Sequence, residues 1–249
     1  MIAPTPEHRV LNLDAQVLPC RIAAQHICRT SIPRLGEWVE FLVRPGPDFG
    51  RMSPLDFVEV GYQRRGLLFD EDIFARCVDA MTEFPASTMF SVNLHPSSLH
   101  RDGFVAFIRR QLARHGISPR RVILELVEFG GPVNLMASRA SLEELRADGV
   151  KFALDDFGPG FSNLDLIASG LVDFVKVDRS LVRFVDTQSG YHSLLSGLRD
   201  FARETGVVLV AEGVETAVQA GMLRRLGVEW IQGFYYSRPQ LLAVATARE

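Results

Sequence analysis

Asp155 and Asp156 stand side by side at the end of an apolar run, Phe152-Ala153-Leu154, and a Gly158-Pro159-Gly160 turn follows at once. Adjacent carboxylates repel, and burial makes ionising both costlier unless a cation or hydrogen-bond donors compensate. Taken alone, the pair reads equally as a solvated strand end that caps the next helix. It is not alone. Glu40, Asn93, Glu125, Lys176, Glu212 and Gln232 each close a further apolar run. Acids, amides and one lysine brought to one place would form an all-oxygen site for a hard divalent cation. Independent accidents at seven strand ends explain this poorly.

Lys176 stands out by composition. Of 27 cationic residues only Lys151 and Lys176 are lysines. A compact ammonium has an adjustable pKa, whereas guanidinium is a wide fork that stays charged. Beside metal ions Lys176 would lose its proton more easily, so it could act as a base or as a charge stabiliser.

These residues need elements that bring them together. Trp38 to Arg44 alternates as a strand and puts Trp38, Glu40, Leu42 and Arg44 on one face; Ile22 to Cys28, with Gln25, is a weaker strand candidate. From Met89 onward, strands ending at Asn93, Glu125, Asp155, Asp178, Glu212 and Gln232 alternate with helices over about 102–115, 137–148, 162–168, 191–205 and 217–226. Two earlier helices are expected, one opened by Ser53-Pro54 and one over about 70–84. Strand–helix alternation of this length with short connectors implies an α/β fold, a parallel sheet closed into a TIM-like (β/α)8 barrel. Trp38, Ser91, Ile123, Ala153, Phe174, Val210 and Trp230, each two residues before a polar strand end, would fill the layer beneath the mouth. Strict alternation would put Ala153 and Asp155 on one face of their strand and Leu154 and Asp156 on the other.

With 249 residues, 47% hydrophobic, the chain can form one large core. Residues 1–20 read as a short lead-in and 21–249 as the barrel. A net charge of −3 gives no nucleic-acid footprint and no polybasic membrane patch. No apolar run approaches the roughly 20 residues that span a bilayer, and Met1 to Arg9 does not read as a signal peptide. Cys20, Cys28 and Cys77 form no Cys-x-x-Cys, which fits a reduced, cytoplasmic protein. The six His residues form no His-Glu-x-x-His, so a zinc site has no support.

Taken together, the strand-end blocks resemble the EAL-domain phosphodiesterases of cyclic di-GMP, from about Gln25 to Pro239. Glu40-Phe41-Leu42-Val43-Arg44 is similar to Glu-Ala-Leu-x-Arg, Asn93-Leu94-His95 to Asn-Leu-Ser, and Glu125-Leu126-Val127-Glu128 to Glu-x-Thr-Glu. The run from Asp155 to Ser162 resembles Asp-Asp-Phe-Gly-Thr-Gly-Tyr-Ser. Lys176-Val177-Asp178, Glu212 to Thr216 and Gln232-Gly233 fit the remaining blocks.

The resemblance implies two Mg²⁺ or Mn²⁺ ions per active site. Glu40, Asn93, Glu125 and Asp155 would hold one, with Asp155 shared with a second supported by Asp156. It further implies that Lys176 and Glu212 position and activate the attacking water, that Glu128 steadies the loop after Asp156, and that Gln25, Arg44, Gln232 and Glu215 line the substrate. The implied reaction opens cyclic di-GMP to linear pGpG, and the implied assembly is a homodimer. Leu164, Leu166, Ile167, Leu171 and Val172 could serve that pairing or pack inside. The chain departs from the family at Phe41, His95, Val127, Pro159 and the Ala24-Gln25-His26 run, none of them a ligand. Two other readings stay open: a cyclic di-GMP receptor with weak or no turnover, and another metal-dependent barrel enzyme with a lysine base.

Overall fold

Alternating residues along each strand sort into an inner and an outer set, and the sorting builds the molecule. The computed structural model describes residues 17–127, 135–158 and 164–243. The strands are β1 (Cys20–Arg29), β2 (Trp38–Pro45), β3 (Met89–Leu94), β4 (Val122–Leu126), β5 (Lys151–Phe157), β6 (Phe174–Val177), β7 (Val208–Ala211), β8 (Trp230–Gln232) and β9 (Gln240–Leu241). The helices are α1 (Pro54–Arg65), α2 (Leu68–Met81), α3 (Phe104–Arg114), α4 (Arg139–Asp148), α5 (Leu164–Ala168), α6 (Arg179–Val182), α7 (Ser189–Thr205) and α8 (Ala217–Leu226).

Strands β2 to β8 pair in parallel in chain order, and β1 closes the ring between β8 and β2. The result is a TIM-like (β/α)8 barrel. One departure from an all-parallel sheet is β1, which runs antiparallel to both neighbours. Only residues 30–37 join β1 to β2, too few for the helical crossover that parallel neighbours require. The short β9 extends the same edge of β1 beside Ala23 and Ala24.

Outward-facing residues such as Val39, Phe41, Phe90 and Val92 form one large core with the helices. Inward-facing Ile27, Trp38, Ile123, Ala153, Phe174, Val210 and Trp230 form a separate buried plug. Trp38 anchors it, 4.7 Å from the Phe174 ring and 5.4 Å from that of Trp230. Its indole N–H donates to Ser91 Oγ at 3.0 Å, so the one polar member of the layer is paired. The expected layer is thus present, with Ile27 of β1 added to it.

Helix ends follow their local chemistry. Ser53 caps α1 through Asp56 N at 3.1 Å. Gly149 ends α4 at φ 104°, a conformation that favours glycine. At α8 the Thr216 side chain accepts from Gln219 N while Gln219 Oε1 accepts from Thr216 N, a capping box that also holds Glu215 N at 2.9 Å. Among the described residues no helix is long and apolar enough to cross a membrane.

Candidate active site

Two residues along each parallel strand from the plug lies the next inward layer: Glu40, Asn93, Glu125, Asp155, Lys176, Glu212 and Gln232. On the reversed β1 the same layer is reached two residues before Ile27, at Gln25, which pairs in register with Glu40. The strand-end residues singled out by spacing therefore converge at the C-terminal mouth of the barrel.

Lys176 is the centre of the cluster and is 1% exposed. Its Nζ lies 2.6 Å from Glu125 Oε2, 2.7 Å from Glu212 Oε1, 3.0 Å from Asp155 Oδ1 and 3.5 Å from Glu40 Oε2. Glu40 also accepts from Asn93 Nδ2 at 3.2 Å and from Gln232 Nε2. The Gln232 amide reaches Gln25 Oε1 at 3.1 Å, and Gln25 Nε2 donates to Ser237 O at 2.9 Å. One chain of hydrogen bonds thus runs from the acid cluster through both glutamines to the segment after β8.

Asp156 reaches the mouth by a route that alternation does not provide. The β5–β6 pairing slips between Leu154 and Phe157, and Asp156 takes φ 52°, the only positive φ at a non-glycine among the described residues. Aspartate tolerates this left-handed conformation better than most residues. The bulge brings Asp155 and Asp156 to the same end of the barrel. One carboxylate oxygen each from Asp155, Asp156 and Glu212 lie within 4.8 Å of one another. The expectation of opposite faces is therefore corrected: a β-bulge re-aims a side chain.

Four carboxylates surround one ammonium, and Asp156 stands beside them. Burial pushes Glu125 well above the usual carboxylate range, with Glu40 and Asp155 adding to it and Lys176 opposing. Burial likewise pushes Glu212 up to about 8, and Asp156, whose carboxyl is half-buried although the residue is exposed, up to about 6. Burial alone would lower Lys176, but Asp155, Glu125, Glu212 and Glu40 together raise it well above the lysine range. Without further cations the lysine is the counter-ion of the mouth.

The donor set fits divalent ions. Asn93 Oδ1, Glu125 Oε1 and Asp155 Oδ1 are buried oxygens without a hydrogen-bond partner; the last lies near Lys176 Nζ without making a hydrogen bond to it. Leaving a buried acceptor unpaired costs about 1–3 kcal/mol. Unpaired oxygens and excess negative charge at one point are what a hard cation compensates.

Stability should follow. Carboxyls raised above their unfolded values bind extra protons in the native state, so stability falls as pH rises through the window from about 4.5 to about 8. Lys176, raised above its own unfolded value, contributes unchanged across that window. Metal-free protein should therefore melt at higher temperature near pH 5.5 than near pH 8. Added Mn²⁺ should raise Tm more at the higher pH, because the ligands must be deprotonated. A metal-free Tm that climbs between the two values would contradict this electrostatic account.

Glu128 lies outside the described residues. Arg44 stands at the rim, half-buried, with Nη1 donating to Val43 O at 2.8 Å. Glu215 is exposed, its backbone held by Gln219 and its side chain outside the acid cluster. Two glycines keep the last strand ends close: a Cβ on Gly233 would lie 2.1 Å from Val214 O, and one on Gly213, at φ 65°, would lie 2.4 Å from Arg179 Cβ. Phe41 points outward and stacks on Phe90 with centroids 5.1 Å apart, so its bulk stays out of the mouth. His95 Nδ1 accepts from Ser97 N at 3.1 Å and caps the turn after Asn93. Ser237 and Arg21 escaped sequence reasoning. Ser237 carried no signal, whereas Arg21 shares the inward face of Gln25 and needed only β1 to be read back to Cys20.

Residues 39–239 match the family model of the EAL domain. The probable cyclic di-GMP phosphodiesterase PdeA of Escherichia coli K12 is 32% identical over 208 residues, 82% of this chain and 28% of its own length. Klebsiella pneumoniae BlrP1, solved as a calcium and cyclic di-GMP complex, is 30% identical with a TM-score of 0.78, covering 91% of this chain and 58% of that one. The PaMucR phosphodiesterase, solved with cyclic di-GMP, is 28% identical with a TM-score of 0.79, covering 89% and 97%. The chain spans about a third or less of the length of the curated relatives it matches. Matched across nearly all of its barrel, mouth included, this chain belongs to the EAL domain family.

Proposed function

We propose that the chain is a metal-dependent phosphodiesterase that hydrolyses cyclic di-GMP to linear pGpG. The observation that carries this reading is Lys176 held among four carboxylates at the barrel mouth, where the buried ligand oxygens Asn93 Oδ1 and Glu125 Oε1 have no hydrogen-bond partner. The relatives named for this activity and the neighbours solved with cyclic di-GMP and calcium support it.

In this reading Glu40, Asn93, Glu125 and Asp155 would hold one Mg²⁺ or Mn²⁺ ion. Asp155 and Asp156 would hold a second, and Glu212 stands close enough to join them. Two such ions, when bound, supply Lewis-acid activation of water and charge stabilisation at the phosphate. Lys176 and Glu212 orient the attacking water. Glu128 steadies the loop after Asp156. Gln25, Gln232, Arg44 and Glu215 line the substrate side, with the two glutamines fixed by their mutual hydrogen bond.

One assay tests the reading: turnover of cyclic di-GMP with Mg²⁺ or Mn²⁺, followed by chromatography of pGpG. Metal-dependent production of pGpG is expected. Tight binding without product would instead make the chain a receptor.

The catalytic unit is proposed to be the barrel of residues 21–249, preceded by a short lead-in and located in the cytoplasm. Three unpaired cysteines, two of them buried, suit a reducing compartment. No nucleic-acid or membrane partner is proposed. We also propose a homodimer, with exposed Leu164 at the contact; Leu166, Ile167, Leu171 and Val172 are buried in this chain's own core and add nothing to it. Light scattering at micromolar concentration should give twice the chain mass, 27.8 kDa, and a monomer would remove the proposal.

A further inference from the structure

Above the glutamine layer the β1–β2 ribbon continues past the mouth as a wall. Its inward pairs climb in register: Gln25 opposite Glu40, Ala23 opposite Leu42, Arg21 opposite Arg44. Four residues at about 3.3 Å each put the arginine pair about 13 Å along the strand from the Gln25–Glu40 pair. Directly opposed like charges destabilise a ribbon. Neither arginine has a carboxylate partner among the described residues. Each is instead braced by backbone: Arg21 Nε donates to Pro45 O at 3.2 Å and Arg44 Nη1 to Val43 O at 2.8 Å. The remaining guanidinium N–H groups have no acceptor among the described residues. Both forks line one groove of about 300 Å³, whose other walls include Met52, Pro54, Pro239 and Leu241.

A guanidinium only donates hydrogen bonds, so two braced forks call for a ligand edge made of acceptors. Apolar walls of methionine, proline and leucine suit the face of a ring better than a tetrahedral anion. Guanine meets both demands, since its O6 and N7 form an acceptor pair that arginine reads with both donors, whereas adenine replaces O6 with an amino donor. Resting on the cyclic di-GMP reading above, we propose that Arg21 is a further specificity-determining residue: beside Arg44, already placed on the substrate side, it reads the O6/N7 edge of one guanine of the dinucleotide at the rim. Arg21 is a substrate-positioning residue remote from the ions. Base acceptors placed between the forks offset the repulsion that the ribbon bears when empty.

The test is Arg21→Met, which keeps much of the apolar stem and removes the fork. Affinity for cyclic di-GMP, measured by titration calorimetry in Ca²⁺, should weaken about 5- to 100-fold, the range for losing one bidentate guanine contact. Hydrolysis of bis(p-nitrophenyl) phosphate in Mn²⁺, a diester without a base, should stay at the parent's rate. Metal-free Tm should hold or rise, because a like-charge pair is gone. Parental affinity for cyclic di-GMP would overturn the subsite. Equal weakening toward cyclic di-AMP would reassign the pair to a phosphate and overturn it too. A clearly lower Tm would mark Arg21 as structural, with the same consequence. A parent that binds cyclic di-GMP without hydrolysing it fails the activity proposed above and leaves the subsite measurable; a parent that binds neither dinucleotide overturns both.

Discussion

If the proposed activity holds, Lys176→Arg is expected to hydrolyse cyclic di-GMP on the order of 100-fold more slowly than the parent or worse, close to Lys176→Ala, although it keeps the positive charge. The expectation comes from the space around Nζ. Glu125, Glu212 and Asp155 lie within 3.0 Å of it and Glu40 within 3.5 Å, in a site that leaves the lysine 1% exposed. A planar fork with five N–H donors cannot occupy a socket shaped for one ammonium without displacing the carboxylates that hold it. Small displacements at a reacting centre are expensive. Affinity for the dinucleotide should change far less than kcat, since Gln25, Gln232 and Arg44 are untouched. Lys176→Ala has a second signature: it strips the counter-ion from buried carboxylates, and removing one partner of a buried ion pair destabilises by about 3–5 kcal/mol. Metal-free Tm should therefore drop in Lys176→Ala, and saturating Mn²⁺ should recover much of the loss. The measurements are kcat and dinucleotide affinity for both variants, with melting curves with and without metal. Parental turnover in Lys176→Arg would reduce the lysine to a generic cation.

Glu40→Ala and Asn93→Ala are each expected to abolish turnover at limiting Mg²⁺ while the barrel stays folded. Removing a group that merely supports a ligand costs about 10–100-fold in metal affinity, so loss of a direct ligand should exceed that. The two variants differ in a useful way. Glu40 is a charged member of the cluster, and its removal lowers the ionisation cost of Glu125 and Glu212, both of which it pushes up. Asn93 is neutral, and its removal takes away a donor to Glu40 together with an unpaired buried oxygen. Metal-free Glu40→Ala should therefore melt above the parent near pH 8, whereas Asn93→Ala should not. Calorimetric titration with Mn²⁺ and melting curves at that pH check both statements. Unchanged activity in either variant would remove that residue from the ligand set.

Much of this architecture was legible because a strand's side chains repeat every two residues and a barrel has one inside. Once Trp38, Ser91, Ile123, Ala153, Phe174, Val210 and Trp230 were read as one layer, the polar residues two steps on had to form the next. Helix limits were legible where a cap carried them, as at Ser53, Gly149 and Thr216. Leu166, Ile167, Leu171 and Val172 show the opposite case: apolar residues beside a loop suit a core or an interface equally, and only their burial separates the two.

By itself, then, the sequence determined which residues share the mouth and that they are oxygen donors around one lysine, because local alternation and residue type suffice for both. Only the tertiary structure decided the rest. The reversed direction of β1 depends on which edges remain open when the ring closes. The bulge that turns Asp156 beside Asp155 depends on a register slip against β6. The Gln232–Gln25 bond joins residues 207 apart, and the pairing of Arg21 with Arg44 depends on cross-strand register. Each is a relation between distant segments, set by how strands meet rather than by any residue's own preference, so no reading of one segment at a time contains it.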